Sequence, residues 1–407
     1  MTIMPSSISI KKKKTKRVRI ADQWLCEILG LLYRKRKLTR SEITQATGLN
    51  PASVSYALRY LLERGLLLKT NGEVNGRRRE LFDLNAEAGF FVAIDLEGDR
   101  IRFALTNLLG DVRFRWEEPL PFRQPLEPRK LIEGIGRVVR DNDTKLPPVL
   151  AIGVSYPGLL DSEGRLTAVN LGWDRFPLVQ ILNEAFPWPL FLESDKHSCI
   201  QAERWLGSAQ NCDNALFLIA EGGVGLGILT DGKPLAGACF LPGEIGHLKI
   251  LPDADDLCNC GEKGCLEAIA SSPNIVRQYL ERGGLLRPGG APPRVTDVFE
   301  EARQGDPAAL AVIERAGRVL GLSLSYAITL LNPEIVILGG DLCAAEDLFL
   351  PIIKREIERR TISLSLACVN IRVSRLGSDI RLKGAASQAF GKMLRDPGLL
   401  SKLCTSD

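Results

Sequence analysis

Gly243-Glu244-Ile245-Gly246-His247, then ten residues, then Cys258-Asn259-Cys260-Gly261-Glu262-Lys263-Gly264-Cys265 is the most informative stretch of the chain. Three thiolates and one imidazole are the donor set of a tetrahedral Cys₃His zinc site. Gly261 and Gly264 let the backbone fold tightly around an ion. Four protein donors leave no open coordination position, so the expected zinc is structural and not a Lewis acid. The chain has only two histidines, which makes one at this spacing informative. The alternative is three reduced cysteines beside a core histidine. The other cysteines, Cys26, Cys199, Cys212, Cys239, Cys343, Cys368 and Cys404, show no paired spacing. That pattern argues for metal in a reducing cytoplasm over a disulfide framework.

Outward from this cluster, the 407 residues suffice for two or three domains. Apolar residues make up 45% and charged residues 25%, the balance of an ordinary globular protein and not of a disordered or fibrous one. No stretch reaches the roughly 18 consecutive apolar residues of a membrane helix, so no membrane partner is expected. The basic N-terminus lacks the apolar core of a secretory signal, and the expected location is cytoplasmic. The net charge of +4 hides an asymmetry. Residues 1–84 hold 18 Lys/Arg against 7 Asp/Glu, whereas the rest holds 35 against 42. Positive charge confined to a small N-terminal piece is an electrostatic footprint for nucleic acid.

Residues 1–20 read as a disordered basic arm, with seven like charges in Lys11–Arg19. Residues 21–86 read as helix, short helix, Gly turn, helix and hairpin. Trp24, Ile28, Leu31 and Leu32 have helical spacing over 21–34. Thr39 or Arg40 opens a short helix that stops at Gly48. Asn50 and Pro51 then cap a helix over 51–65, with Val54, Ala57, Leu58, Leu61 and Leu62 on its inner face. Ser53, Tyr56 and Arg59 are expected to point away. A loop over 71–79 separates two strands and carries Arg77, Arg78 and Arg79. This is the plan of a winged helix-turn-helix, whose third helix enters the DNA major groove. The DNA-contact candidates are therefore Ser53, Tyr56, Arg59, Arg77, Arg78 and Arg79. A small helical protein-interaction domain is the bland alternative.

From about residue 87 strands alternate with helices, which argues an α/β protein. Strand runs occur at Phe90–Ile94, Val149–Val154, Leu190–Leu192, Asn214–Ile219 and Ile335–Leu338. Helical spacing occupies 128–140, 196–206, 306–331 and 346–359. No fixed-period repeat is visible. Trp173 and Trp188 read as packing residues.

The cluster, extended to Leu266-Glu267, resembles the signature of the ROK family (repressors, open reading frames and sugar kinases). Supporting pieces are Tyr156-Pro157-Gly158-Leu159-Leu160-Asp161, Asn170–Trp173, Glu193-Ser194-Asp195, the Gly222–Gly227 loop and Pro333–Gly340. The resemblance covers nearly all of residues 21–400, and the winged helix matches the repressor branch. It implies a two-lobed, actin-like (ribonuclease H-like) α/β sugar-kinase-type domain over 87–407. Lobe one is expected at 87–197 plus a C-terminal helix near 380–400, and lobe two at 198–379. It further implies that Glu244, His247 and Glu267 contact sugar hydroxyls, with Gly158, Ser194 and Asp195 close by. Glu244 and Glu267 acting only as supports of the zinc loop is the competing role.

Asp195 falls where the kinases of the family carry their general base. The usual Glu-Asn-Asp-Ala-Asn reads here Glu193-Ser194-Asp195-Lys196-His197, which makes Asp195 a vestigial base candidate. The first phosphate loop, usually Asp-x-Gly-Gly-Thr, reads Asp95-Leu96-Glu97-Gly98-Asp99. The second, usually opening Gly-Thr-Gly, reads Glu221-Gly222-Gly223. At about 4 Å, each like-charge pair costs about 1 kcal/mol in water and about 4 at an effective dielectric of about 20. Crowding from Glu97, Asp99 and Glu221 therefore argues against bound ATP and magnesium and against sugar kinase activity. The expected protein is a sugar-responsive, DNA-binding transcriptional regulator, most simply a repressor. A homodimer or higher homo-oligomer would meet palindromic operator DNA. The rival is an ATP-dependent sugar kinase of hexokinase or glucokinase type carrying an added DNA-binding domain.

Overall fold

The computed structural model describes residues 20–120, 127–140, 148–238 and 241–396. The basic run Lys11–Arg19 lies outside them. The residue contacts divide the chain into two compact units, one through Asp195 and again from Arg381, the other Lys196–Ile380.

The first unit opens with α1 (Ile20–Lys35), α2 (Arg40–Thr47) and α3 (Pro51–Glu63). Thr39 caps α2 in a reciprocal box with Glu42, and Gly48 ends it in the left-handed conformation at φ 67°. Asn50 Oδ1 accepts the Ser53 N–H at 2.8 Å to start α3. Strands β1 (Leu67–Val74) and β2 (Arg77–Leu84) form an antiparallel hairpin. Only Asn75-Gly76 remains as the turn, both at positive φ, as a two-residue hairpin connection requires. The loop expected over 71–79 is therefore mostly strand. Leu38 bridges Phe82, and Arg36 grips Asp83 through two hydrogen bonds of 2.6 and 2.9 Å.

Strands β3 (Phe90–Leu96), β4 (Arg100–Asn107) and β5 (Val112–Pro119), helix α4 (Pro128–Arg140) and strand β6 (Val149–Tyr156) follow. A small sheet of β7 (Leu159–Leu160), β8 (Leu166–Ala168) and β9 (Trp173–Phe176) precedes α5 (Leu178–Ala185) and β10 (Leu190–Ser194). The main sheet runs β10-β6-β3-β4-β5, with β3–β5 antiparallel and β6 and β10 parallel to β3. Phe90, Val92, Ile94, Phe103 and Leu105 pack against Leu131, Ile135 and Val138 of α4. Trp173 is buried against Phe176 at 4.3 Å and Trp188 stacks on Phe186 at 5.4 Å, so both tryptophans pack.

The second unit contains α6 (Asp195–Leu206) but for its first residue, then β11 (Ala215–Ala220), β12 (Val224–Thr230) and β13 (Lys233–Pro234). It continues through α7 (Leu266–Ala270), α8 (Ser272–Glu281), α9 (Val295–Arg303) and α10 (Pro307–Leu331). Strand β14 (Ile335–Gly340), α11 (Glu346–Arg360), α12 (Ser363–Cys368) and β15 (Asn370–Val373) complete it. Its sheet runs β13-β12-β11-β14-β15. Counted from the first strand of each sheet, both sheets have the order 3-2-1-4-5, with the first three strands antiparallel and the last two parallel. The two units thus repeat one topology without a visible sequence repeat. One face of the second sheet is covered by α10 and α11, where Gly317 and Gly321 let the helices approach closely. The other face takes Cys199, Ile200 and Ala202 of α6.

Helix α13 (Ile380–Met393) returns the chain to the first unit. It lies so near β6 that a Cβ on Gly153 would sit 2.3 Å from the Ala385 carbonyl oxygen. Phe390 packs on Phe91 of β3 and on Tyr33 of α1, with centroids at 6.0 and 4.8 Å. The Tyr33 and Ser387 hydroxyls hydrogen-bond at 3.2 Å.

Candidate functional site

His247 ends a single 3₁₀ turn, Ile245–His247. Gly243, at φ 83°, leads into it where a Cβ would fall on the Leu226 carbonyl oxygen. Two isolated bridges, Lys249 to Cys265 and Leu257 to Lys263, fold the cysteine loop back on itself. Gly261 and Gly264 take φ of 91° and 73° at its bends. These constraints bring one donor atom each from His247, Cys258, Cys260 and Cys265 within 4.8 Å of one another. Cys258 Sγ lies 3.6 Å from His247 Nδ1, and Cys260 Sγ lies 3.8 Å from Cys265 Sγ. The edges of a tetrahedron around zinc are about 3.5–3.8 Å at usual Zn–N and Zn–S lengths, so the donor set fits that ion. Burial and the neighbouring thiols push Cys265 up to about 12, and burial raises Cys258. Backbone hydrogen bonding lowers Cys260. Three thiols this close need a cation to ionise together.

The remaining candidates of this unit surround the imidazole. With Nδ1 turned toward the sulfurs, His247 Nε2 faces Glu244 Oε2 at 4.0 Å. Glu244 Oε1 meets Lys196 Nζ at 2.5 Å. Glu267, on α7, accepts the Val224 N–H through Oε2 at 3.1 Å, and its Oε1 is 4.0 Å from Cys258 Sγ. Glu244, His247, Glu267 and the cysteines therefore lie together in one cluster. Lys196 belongs to it too and was not anticipated, because sequence places it beside Asp195.

Glycines 223, 225 and 227 of the Gly222–Gly227 segment, expected to be a loop, sit otherwise. Gly225 and Gly227 lie within strand β12, and none of the three has positive φ. A Cβ on Gly225 would meet Lys196 Cδ at 2.6 Å, and one on Gly227 would meet the Lys196 carbonyl oxygen at 2.4 Å. Gly225 and Gly227 are glycine because α6 and its lysine cross the strand there, whereas a Cβ on Gly223 would meet Glu267 Oε2 at 2.8 Å.

In the first unit, Ser194 ends β10 in register with Tyr156 of β6 and is buried. Asp195 opens α6. Burial, with the Glu193 and Asp195 carboxylates, pushes the Tyr156 phenol up. Gly158 takes φ 81°, and a Cβ there would strike the Thr167 carbonyl oxygen. The carboxylates of the first phosphate loop are not uncompensated, contrary to the charge argument. Arg102, buried, donates to Asp95 at 2.5 Å and lies 2.7 Å from Glu97 Oε1. Arg381 donates to the same Glu97 oxygen at 3.1 Å. Asp99 is paired with Arg100 at 2.9 Å. The acids are legible in the sequence but the arginines that meet them are not, since one of them comes from α13.

Of the surface candidates, Tyr56 and Arg59 on α3 and Arg77, Arg78 and Arg79 on β2 are exposed. Ser53 is not: it is 7% exposed and sits with Val54 and Ala57 on the inner side of the helix. Ser53 is N3 of α3, and the cap turns that position inward. Tyr56 stacks on Tyr60, whose ring lies under the Arg64 guanidinium at 3.6 Å. Arg40 of α2, overlooked in the sequence, is exposed and reaches the Ser55 hydroxyl of α3 at 3.3 Å.

Known proteins resemble the chain along most of its length. The xylose repressor of Caldicellulosiruptor bescii is 27% identical over 385 residues, covering 91% of this chain and 96% of that protein. The DNA-binding transcriptional dual regulator NagC of Escherichia coli is 31% identical over 326 residues, covering 78% and 80%. The crystal structure of a ROK family transcriptional regulator, a homologue of the E. coli MLC protein, superposes with a TM-score of 0.80. It is 26% identical and covers 95% of this chain and 99% of its own. A ROK family profile matches residues 91–391, and with the Cys/His loop and the repeated sheet topology in place, the chain belongs to the ROK family.

Proposed function

We propose that the protein is a sugar-responsive transcriptional repressor, in which a metal-pinned ROK domain senses a sugar and an N-terminal winged helix-turn-helix binds operator DNA. One observation carries this reading. The likeness to a transcriptional regulator spans 95% of the chain, so it includes most of the three helices and hairpin that precede the ROK match at residue 91. That segment and the basic run before it together carry 18 Lys/Arg against 7 Asp/Glu, whereas the rest of the chain is net negative. In this reading α3 enters the major groove with Tyr56 and Arg59. Arg77, Arg78 and Arg79 on the hairpin meet phosphates or the minor groove. A homodimer would place two such helices on a palindrome with half-sites about one DNA turn or a multiple apart. No helix among the described residues is long and apolar enough to cross a membrane, and the protein is proposed to act in the cytoplasm.

Zinc, where bound, would be held by His247, Cys258, Cys260 and Cys265 as a structural ion. Its contribution would be to fix the loop that carries Glu244 and His247 and leads into α7 with Glu267. These three are the proposed hydroxyl-binding groups of the second unit, and Gly158, Ser194 and Asp195 those of the first. Carboxylates accept hydroxyl protons at defined angles, and the imidazole Nε2 offers a further polar contact. The domain is proposed to lack kinase activity. Arg102 and Arg381 are engaged by Glu97, so an internal carboxylate already answers the cations that a phosphate would seek. The DNA response follows only if the sugar prefers one arrangement of the protein over another.

The test begins with selection of bound duplexes from a random DNA pool by the full-length protein. Affinity for the selected duplex is then measured by anisotropy with aldoses, amino sugars and their phosphates, with and without magnesium and a non-hydrolysable nucleotide. Enrichment of a palindrome whose affinity changes with one sugar supports the repressor. Absence of any selected sequence removes it. A sugar response that deepens with nucleotide returns the kinase reading.

A further inference from the structure

Lysine is almost never buried without a partner, and Lys196 is 8% exposed. Its stem runs over β12 at Gly225, where no side chain larger than hydrogen leaves room. Its ammonium meets Glu244 Oε1 at 2.5 Å, while Glu244 itself keeps about a third of its side chain open to solvent. The other Glu244 oxygen faces His247 Nε2. A cationic donor and an anionic acceptor are thus fixed side by side at the edge of the metal loop. A free carboxylate offers two acceptor oxygens, but Lys196 engages Glu244 Oε1 and leaves chiefly Oε2 to accept from one hydroxyl. A lysine–carboxylate pair reads two neighbours: the carboxylate accepts from one hydroxyl and the ammonium donates to the oxygen of the next.

We propose that Lys196 is a specificity-determining residue which, with Glu244, selects effectors bearing two adjacent free hydroxyls. This rests on the sugar-sensing reading and narrows its ligand class to vicinal diols. A ligand with one of the two hydroxyls removed or acylated leaves either the ammonium or the carboxylate without its new contact. Such a loss is costly because both groups are charged and the ammonium is largely desolvated. The glycine at 225 is part of the same device, since any larger residue would displace the lysine stem.

Titration calorimetry of the full chain tests this with xylose, glucose and each of their monodeoxy analogues. The proteins are wild type, Lys196→Met and Lys196→Arg. For the sugar that binds wild type best, Lys196→Met is expected to weaken binding about tenfold or more, with partial recovery in Lys196→Arg. One deoxy analogue is expected to show that loss already in wild type and no further loss in Lys196→Met. Parent-sugar binding within twofold of wild type in Lys196→Met overturns the proposal, as does an equal further loss for every analogue. If the ligand-free Lys196→Met protein melts well below wild type, Glu244→Gln carries the test: its loss must coincide with the deoxy analogue of an adjacent position, and any other pattern overturns the proposal. Should no sugar bind wild type, the sensing reading falls and the proposal with it. Sugar binding that ignores Lys196 removes only the proposal.

Discussion

Arg59 and Ser53 lie six residues apart on one helix and illustrate how burial decides what a residue does. Arg59 is exposed and unconstrained by packing, so Arg59→Ala should leave folding and sugar binding intact. It should weaken operator binding by about 1–3 kcal/mol if the side chain reads a base, or lower the salt slope by about one if it meets a phosphate. Anisotropy titrations at several salt concentrations distinguish the two. Ser53→Ala should leave the exposed side of α3 unchanged. A second prediction concerns Gly227, whose Cβ would press on the backbone of Lys196. Because a backbone atom cannot swing aside, Gly227→Ala should cost about 1–3 kcal/mol, measurable by denaturant unfolding. Gly225→Ala meets a flexible lysine stem instead, so it should disturb sugar affinity more than stability.

At the scale of elements, the Leu38–Phe82 bridge and the Arg36–Asp83 pair bind the hairpin to the first helices. Burial raises the Asp83 carboxyl, but Arg36 and the Leu84 and Lys37 backbone N–H groups outweigh it and hold it below the usual carboxylate range. A depressed folded pKa stabilises above the unfolded value and loses that effect as pH falls through the folded one. Asp83→Asn should therefore be less stable than wild type at neutral pH by about 1–3 kcal/mol. The gap should close below about pH 4, as thermal melts across pH will show. Much of this was legible in the sequence. Caps at Asn50 and Gly48 and the long apolar runs of β3, β6 and β14 announce their elements by local chemistry. Strand β12 did not, because its alternating glycines look like a loop until α6 is placed across them. Helices α7, α8, α9 and α12 are short or broken by polar residues, and their apolar positions gain meaning only against α10 and the sheet. The Cys/His cluster was visible because four rare donor residues sit close in sequence. Lys196 was not, since its partner Glu244 is 48 residues away.

For the molecule as a whole, the Cys/His loop is tied into the second unit by more than its four candidate donors. Asp256, two residues before Cys258, is held by Arg277 of α8 and by both terminal nitrogens of Arg315 of α10. Loss of metal should therefore be felt as stability of the unit, not only of the loop. Cys260→Ala should purify with less than stoichiometric zinc, melt at lower temperature and lose the sugar response. Chelator treatment of wild type should reproduce the lower melting temperature. Full metal content in Cys260→Ala, by elemental analysis, would reject the ligand assignment.

The return of α13 to the first unit has a consequence for how the protein is made. Its residues line up against β3, β6 and α1, yet they leave the ribosome some 185 residues after β10, the last strand of that sheet, has emerged. The second unit is, in effect, an insertion that must be translated before the first can close. During that interval Phe91, Gly153 and Tyr33 wait without the helix that covers them. Vectorial synthesis thus makes α13 the last element of the first unit to become available, after the whole of the second unit has been made. In a growing cell, the helix-and-hairpin segment would gain its final support only when the rest of the polypeptide already exists.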